Sequence, residues 1–136
     1  MWVSNYLDHT VTKLRGSDGA NLGTFAAPEY PSGMTFDGEN IWIATAGNHN
    51  ILKLRASDGT NLGTFETGWS PVNLAFDGTR IWVVLQHADR VRRLLASDGL
   101  AGKSVRVGES PLGIIYDGSS VWVANPSSND VTKISR

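Results

Sequence analysis

The stretch Ile41-Trp42-Ile43-Ala44-Thr45 decides the fold. Its β-branched and aromatic residues run consecutively instead of alternating with polar ones, which is how a strand buried on both faces reads. Ala46-Gly47-Asn48-His49-Asn50 then turns the chain, and Ile51-Leu52-Lys53-Leu54-Arg55 reads as a second strand. Ser57-Asp58-Gly59 is a hairpin signal, because glycine accepts the positive φ that other residues resist. A third strand follows at Asn61-Leu62-Gly63-Thr64-Phe65-Glu66, a loop at Gly68-Trp69-Ser70-Pro71 and a fourth strand at Val72-Asn73-Leu74-Ala75-Phe76. Asp77-Gly78 turns into the next tryptophan strand.

That unit repeats without an insertion. Trp2, Trp42, Trp82 and Trp122 stand 40 residues apart. Ser17-Asp18-Gly19 recurs at Ser57-Asp58-Gly59 and Ser97-Asp98-Gly99, Asp37-Gly38 at Asp77-Gly78 and Asp117-Gly118, and Pro31 at Pro71 and Pro111. The units are 1–40, 41–80 and 81–120, with 121–136 a partial fourth. Four short strands per 40-residue unit is the pattern of β-propeller blades. The expected fold is therefore all-β, one partial propeller domain over 1–136.

Composition narrows the function classes. The 136 residues carry 12 Lys plus Arg against 13 Asp plus Glu, with 40% hydrophobic and 18% charged residues, as in an ordinary soluble domain. Near-zero net charge removes the footprint of a general nucleic-acid binder. No apolar run approaches the roughly 18–20 residues of a membrane helix, and the first six residues lack the basic and apolar regions of a signal peptide. No membrane or nucleic-acid partner is expected. The lack of cysteine excludes disulfide scaffolds, thiol catalysis and thiolate metal sites.

The units, from Pro through Phe-Asp-Gly, Ile/Val-Trp-Val/Ile and Lys/Arg-Leu to Ser-Asp-Gly, resemble the YVTN-type and NHL-like bacterial β-propeller repeats, including those of virginiamycin B lyase-like proteins. The resemblance covers the whole chain. It implies blades of strands A to D from the axis outward, with the tryptophan strand as B, so that the chain reads BCD, ABCD, ABCD, ABC. It says little about chemistry, because propellers host enzymes, sensors and adaptors alike.

Positions kept in every unit are read as scaffold. The four tryptophans pack blade on blade, the Asp-Gly pairs make turns, and Lys13, Lys53, Arg93 and Lys133 lay aliphatic stems over apolar neighbours with their charge in water. Variable positions gather on the other face, where the B-to-C and D-to-A loops of a propeller emerge, and loops on a rigid scaffold carry binding residues. The candidate ligand-binding residues there are Tyr6, Asp8, His9, Tyr30, Asn48, His49, Trp69, His87, Asp89 and Glu109. They suit a small ligand, a glycan or a protein partner, with the aromatics as stacking surfaces or anchors.

No catalytic residue, metal site or cofactor is assigned. His9 and His49 occupy equivalent positions on successive blades, roughly 10 Å or more apart, too far for two metal bonds of ~2.0 Å. The inner-strand positions Gly33, Asn73 and Gly113 offer one polar side chain in three, which disfavours a metal on the axis. The leading expectation is a binding or scaffold module. The alternative is a lyase-like or hydrolase-like propeller enzyme with a metal-assisted site.

Three and a half blades do not close a ring, since closed propellers have about four to eight. An open arc would leave apolar blade faces in water. A homodimer closing one ring is expected, with eight blades favoured over six or seven because a two-fold axis makes both seams alike.

Overall fold

The computed structural model describes all residues 1–136, and its regular structure is fourteen strands with one short 3-10 turn, Gln86–Ala88. The first sheet holds β1 (Trp2–Asn5), β2 (Thr10–Leu14) and β3 (Asn21–Ala26). The second holds β4 (Pro31–Phe36), β5 (Asn40–Thr45), β6 (Asn50–Arg55) and β7 (Asn61–Glu66). The third holds β8 (Pro71–Phe76), β9 (Arg80–Leu85), β10 (Arg90–Leu95) and β11 (Ala101–Arg106). The fourth holds β12 (Gly113–Tyr116), β13 (Ser120–Asn125) and β14 (Asp130–Ser135). Each sheet is an antiparallel meander in chain order, with three, four, four and three strands. The strands β4, β8 and β12 lie side by side and so form the inner edge from which the sheets radiate. This is the expected order of blades, with no inner strand on the first sheet and no outer strand on the last.

The core lies between the sheets. Trp2 packs with Val11 against Ile41, Ile43, Leu52 and Leu54 of the second sheet. Trp42, Ala44 and Ile51 pack against Leu74, Ile81, Val83, Leu85 and Leu94 of the third. Trp82, Val84 and Val91 pack against Val121 and Val123 of the fourth. Trp2, Trp42 and Trp82 therefore each face the following blade, burying on the order of 200 Å² of apolar surface where fully enclosed. Trp42 and Trp82 are enclosed completely, and β5 and β9 are buried on both faces, as their unbroken apolar runs require.

The repeated aspartates do more than turn the chain. In Asp77 one carboxylate oxygen accepts the backbone N–H groups of Thr79 and Arg80 at 2.9 and 2.7 Å, and the other accepts the indole N–H of Trp82 at 2.8 Å. Asp37 holds Trp42 in the same way at 2.7 Å, and Asp117 holds Trp122 at 2.6 Å. One residue thus satisfies the turn and the buried polar atom of the core tryptophan. Burial pushes the carboxyls of Asp37 and Asp77 up, but the indole and backbone hydrogen bonds outweigh it and hold both below the usual range. In Asp117 the indole hydrogen bond leads, and the carboxyl is also held low.

The recurring basic residues also differ from a plainly solvated row. Antiparallel register places each directly across from its tryptophan: Lys13 from Trp2, Lys53 from Trp42, Arg93 from Trp82 and Lys133 from Trp122. Cross-strand partners share a face, so each cation lies over an indole, at 4.7 Å for Lys53 and 5.0 Å for Lys133. For Lys13 and Lys53 the ammonium then reaches the next blade. Lys13 donates to the carbonyl of Ala56 at 2.7 Å, and Lys53 to that of Ala96 at 3.1 Å. The turn after the following blade's third strand projects these carbonyls over the indole, where the charge meets them before it meets water.

Candidate functional site

The turns after β1, β5, β9 and β13 and the loops after β3, β7 and β11 share one face. Hydrogen bonds join them: the backbone N–H of Ala27 donates to the carbonyl of His9, that of Thr67 to His49 and that of Val107 to Asp89, at 3.0 to 3.1 Å. The opposite face carries the uniform Asp-Gly turns. The separation into a diverse and a uniform face follows from the alternating direction of a four-stranded meander.

Within the diverse face a repeated clip holds the loops. The imidazole Nδ1 of His9 accepts the backbone N–H of Tyr30 at 3.1 Å, and that of His49 accepts the N–H of Ser70 at 3.2 Å. At the third junction the carboxylate of Asp89 accepts the N–H of Ser110 at 2.9 Å. His9, His49, Asp89 and Asn129 all have φ between 52° and 61°, a left-handed turn conformation. The position demands a side-chain acceptor and tolerance of positive φ, which His, Asp and Asn share. In this tautomer each histidine keeps its Nε2–H outside the clip. His87 is not part of this set, since it lies in the 3-10 turn, exposed, two residues before Asp89.

The clip fixes two aromatic groups. At the first junction Tyr30 is flanked by Tyr6, with ring centroids 5.0 Å apart, and by the edge of His9 at 4.8 Å. Gly47 lies beneath, where a Cβ would come within 2.9 Å of both Glu29 and Tyr30, so only glycine lets the loop sit this low. At the second junction Trp69 stacks on His49 with planes 11° apart and centroids 5.8 Å apart. Trp69 remains 70% exposed, so one side of the indole rests on imidazole and the other faces solvent. The third junction is polar: the Ser128 hydroxyl accepts the N–H of Glu109 at 2.9 Å and also meets the Asp130 carboxylate.

The remaining candidates fall on the same face in different roles. Asp8 and Glu109 project into solvent. The Asn48 side chain accepts the Thr45 hydroxyl at 2.6 Å and closes its own turn. His9 with Tyr6 and Tyr30 forms one group, His49 with Trp69 a second, and Asp89 with the Glu109 loop a third. No three His, Asp or Glu side chains converge as metal ligands. The cavities lie between the first and second sheets, on the third sheet and on the last sheet, not between the aromatic groups. No helix is long and apolar enough to cross a membrane.

The feature hidden in sequence is the shared role of His9, His49 and Asp89. Residue type changes along the set, so only alignment by the 40-residue period and a shared demand for an acceptor would have shown it.

No family model and no curated protein sequence matches the chain. Among solved structures, it is similar to catalytically inactive virginiamycin B lyase from Staphylococcus aureus with quinupristin, with a TM-score of 0.86, 18% identity and coverage of 99% of this chain but 47% of that one. A streptogramin B lyase gives a TM-score of 0.84, 20% identity and the same two coverages. A functionally unknown protein from Desulfotomaculum acetoxidans gives 0.84, 18% identity, 98% of this chain and 47% of that one. The chain spans about half the length of each. It has the fold of part of a β-propeller, similar to the propellers of virginiamycin B lyases.

Proposed function

We propose that the chain is a binding module whose loop face takes a carbohydrate by stacking. The observation that carries this reading is Trp69: a flat indole with one open side, held by His49, which is itself tied to Ser70. A preorganised aromatic of this kind fits the apolar face of a sugar ring with little ordering cost. Asp8, Glu29, Asn48 and Glu109 on the same face are acceptors for hydroxyl groups around it. Tyr30, braced by Tyr6 and His9, offers a second ring for a neighbouring sugar. An open platform needs no deep pocket, which matches where the cavities lie.

The test is a glycan array followed by titration of a positive oligosaccharide, read by tryptophan emission and backbone NMR shifts. Trp69→Ala and Tyr30→Ala should each weaken binding about tenfold or more, the range set by loss of about 1–3 kcal/mol per stacked ring. Substitutions at Asp18 and Asp58 should leave it unchanged. Shifts that map to the Asp-Gly turns would refute the reading.

Likeness to the lyases favours a second reading, in which the loop face acts on a streptogramin-type antibiotic. Incubation with quinupristin and mass analysis of the products separates the two: turnover supports the enzyme, and unchanged quinupristin removes it.

A further inference from the structure

We propose that the carbohydrate taken by the loop face is anionic, its sulfate or carboxylate group held by Arg90, Arg92 and Arg106 of the third sheet while a ring stacks on Trp69. The inference rests on the carbohydrate reading of that face and narrows it to acidic saccharides.

The chain is nearly neutral as a whole, but its cations are not spread evenly. Of its 12 Lys and Arg residues, Arg90, Arg92, Arg93, Lys103 and Arg106 fall on β10 and β11. The 40-residue period supplies the comparison. Positions 90, 92 and 106 correspond to Asn50, Leu52 and Glu66 on the second sheet and to Thr10, Thr12 and Ala26 on the first. Neither of those blades needs arginine there, so the scaffold does not ask for it on the third.

Register puts the three arginines together. Arg90 stands directly across from Arg106 and Arg92 from Ser104, and residues two apart on a strand share a face. Arg90 Nη1 donates diagonally to the Ser104 hydroxyl at 3.2 Å. Like charges directly opposite one another destabilise a strand pair. Nothing within the chain neutralises these. Its ion pairs join Arg15 to Asp18, Arg55 to Asp58, and Arg80 and Arg136 to Asp77. The carboxylate next to them in sequence, Asp89, accepts the Ser110 N–H. Glu66 shares a face of the second sheet with Asn50 and Leu52, the face turned to the first sheet and away from the arginines.

The cluster adjoins the stacking site. Arg90 begins β10 and Arg106 ends β11 at the loop face, where the Val107 N–H meets the Asp89 carbonyl, and both side chains are exposed. They share the face that carries Val83 and Leu85 toward the second sheet. The sheets meet along their inner strands, which leaves this end of the outer strands open to a ligand. Arg92 Nη1 donates to the Thr67 carbonyl at 2.7 Å, in the loop that carries Trp69, and its Nε is buried without an acceptor. A guanidinium underpaired in this way is costly within a finished fold. Guanidinium forks pair with oxyanions two hydrogen bonds at a time. A saccharide laid from the indole of Trp69 onto the third sheet therefore brings an anionic substituent to three cations that have no partner of that charge.

Isothermal calorimetry with a heparin hexasaccharide, hexagalacturonate and cellohexaose separates sulfated, carboxylated and neutral chains. One or both acidic probes should bind about tenfold more tightly than cellohexaose, and the difference should shrink as salt rises from about 50 to about 500 mM. Arg90→Gln and Arg106→Gln, at exposed positions, should each lower affinity for the acidic probe about tenfold and leave cellohexaose binding unchanged. Lys103→Gln removes the same charge from the other face of β11 and should change neither. Trp69→Ala should weaken both. Cellohexaose bound as tightly as the acidic probes, or acidic binding indifferent to both arginine substitutions, overturns the proposal and leaves the stacking reading standing. Binding of no hexasaccharide overturns both. Tighter binding of a thymidine dodecamer than of either acidic probe overturns the proposal in favour of a nucleic acid.

Discussion

Trp82→Ala tests how the blades are held together. Trp82 is fully enclosed between the third and fourth sheets, in one core cluster with Val84, Val91, Val107, Val121 and Val123. Truncating an aromatic in such a site costs about 3–5 kcal/mol through lost transfer energy and the cavity left behind. It also strips the Asp77 carboxylate, whose side chain is 0% exposed, of an indole donor at 2.8 Å. Leaving that oxygen to Arg80 and Arg136, at 3.8 and 3.5 Å, adds about 1–3 kcal/mol. These losses overlap, and about 4–6 kcal/mol is expected against a typical total of about 5–15 kcal/mol. Trp82→Phe separates the parts, since it keeps most of the ring and removes only the donor. Trp69→Ala, on the exposed loop, should fall within about 0.5 kcal/mol of the parent. Urea melts followed by far-ultraviolet circular dichroism give all three values at one protein concentration. If Trp69→Ala costs as much as Trp82→Ala, the assignment of core and loop face is wrong.

The other expectations are briefer. Gly19 and Gly59 share a φ of +74°, but only Gly59 lies under the ring of Phe25, so Gly59→Ala should lose at least ~1 kcal/mol more than Gly19→Ala in thermal melts. The folded carboxyls of Asp37, Asp77 and Asp117 lie below their ordinary value, so their stabilising contribution is complete above about pH 4 and is lost as pH falls through the folded values. Replacing all three by Asn should flatten the acid limb of Tm against pH, and an unchanged limb would contradict the assignment. Lys53→Met keeps the stem over Trp42 and loses the Ala96 carbonyl bond, for an expected cost of about 1–2 kcal/mol in urea melts.

The fold could be read from the sequence because repetition supplied its own control. Four tryptophans at one spacing, each in an apolar run and each followed by a Lys or Arg strand, leave little freedom in where strands begin or which faces are buried. The partners of repeated polar residues were harder to see. Asp77 to Trp82 is five residues, within reach of one turn, yet an Asp-Gly pair already has a sufficient explanation as a hairpin turn. The Lys53 to Ala96 bond spans 43 residues and crosses between sheets, so no local pattern signals it. On the loop face, exposure of Tyr6, Tyr30 and Trp69 was legible from their variable positions. Their division into separate groups at successive junctions depends on which loop leans on which turn.

The clip explains why structure and variation coexist on that face. At 9, 49, 89 and 129 the backbone needs positive φ, and at the first three an acceptor ties down the following loop, a demand that His and Asp meet equally well. At 30, 70 and 110 the loop needs positive φ and a backbone N–H, but asks nothing of the side chain. At 29, 69 and 109, where the chain has Glu, Trp and Glu, the side chains face outward. The frame is therefore held by main-chain geometry and one permissive acceptor, and neighbouring positions can change character from blade to blade without cost to the sheets. Trp69 occupies one such free position. An aromatic of this size, mostly in water and braced by the imidazole that also fixes its loop, contributes little to the fold, and that is the physical ground on which the proposed stacking platform rests.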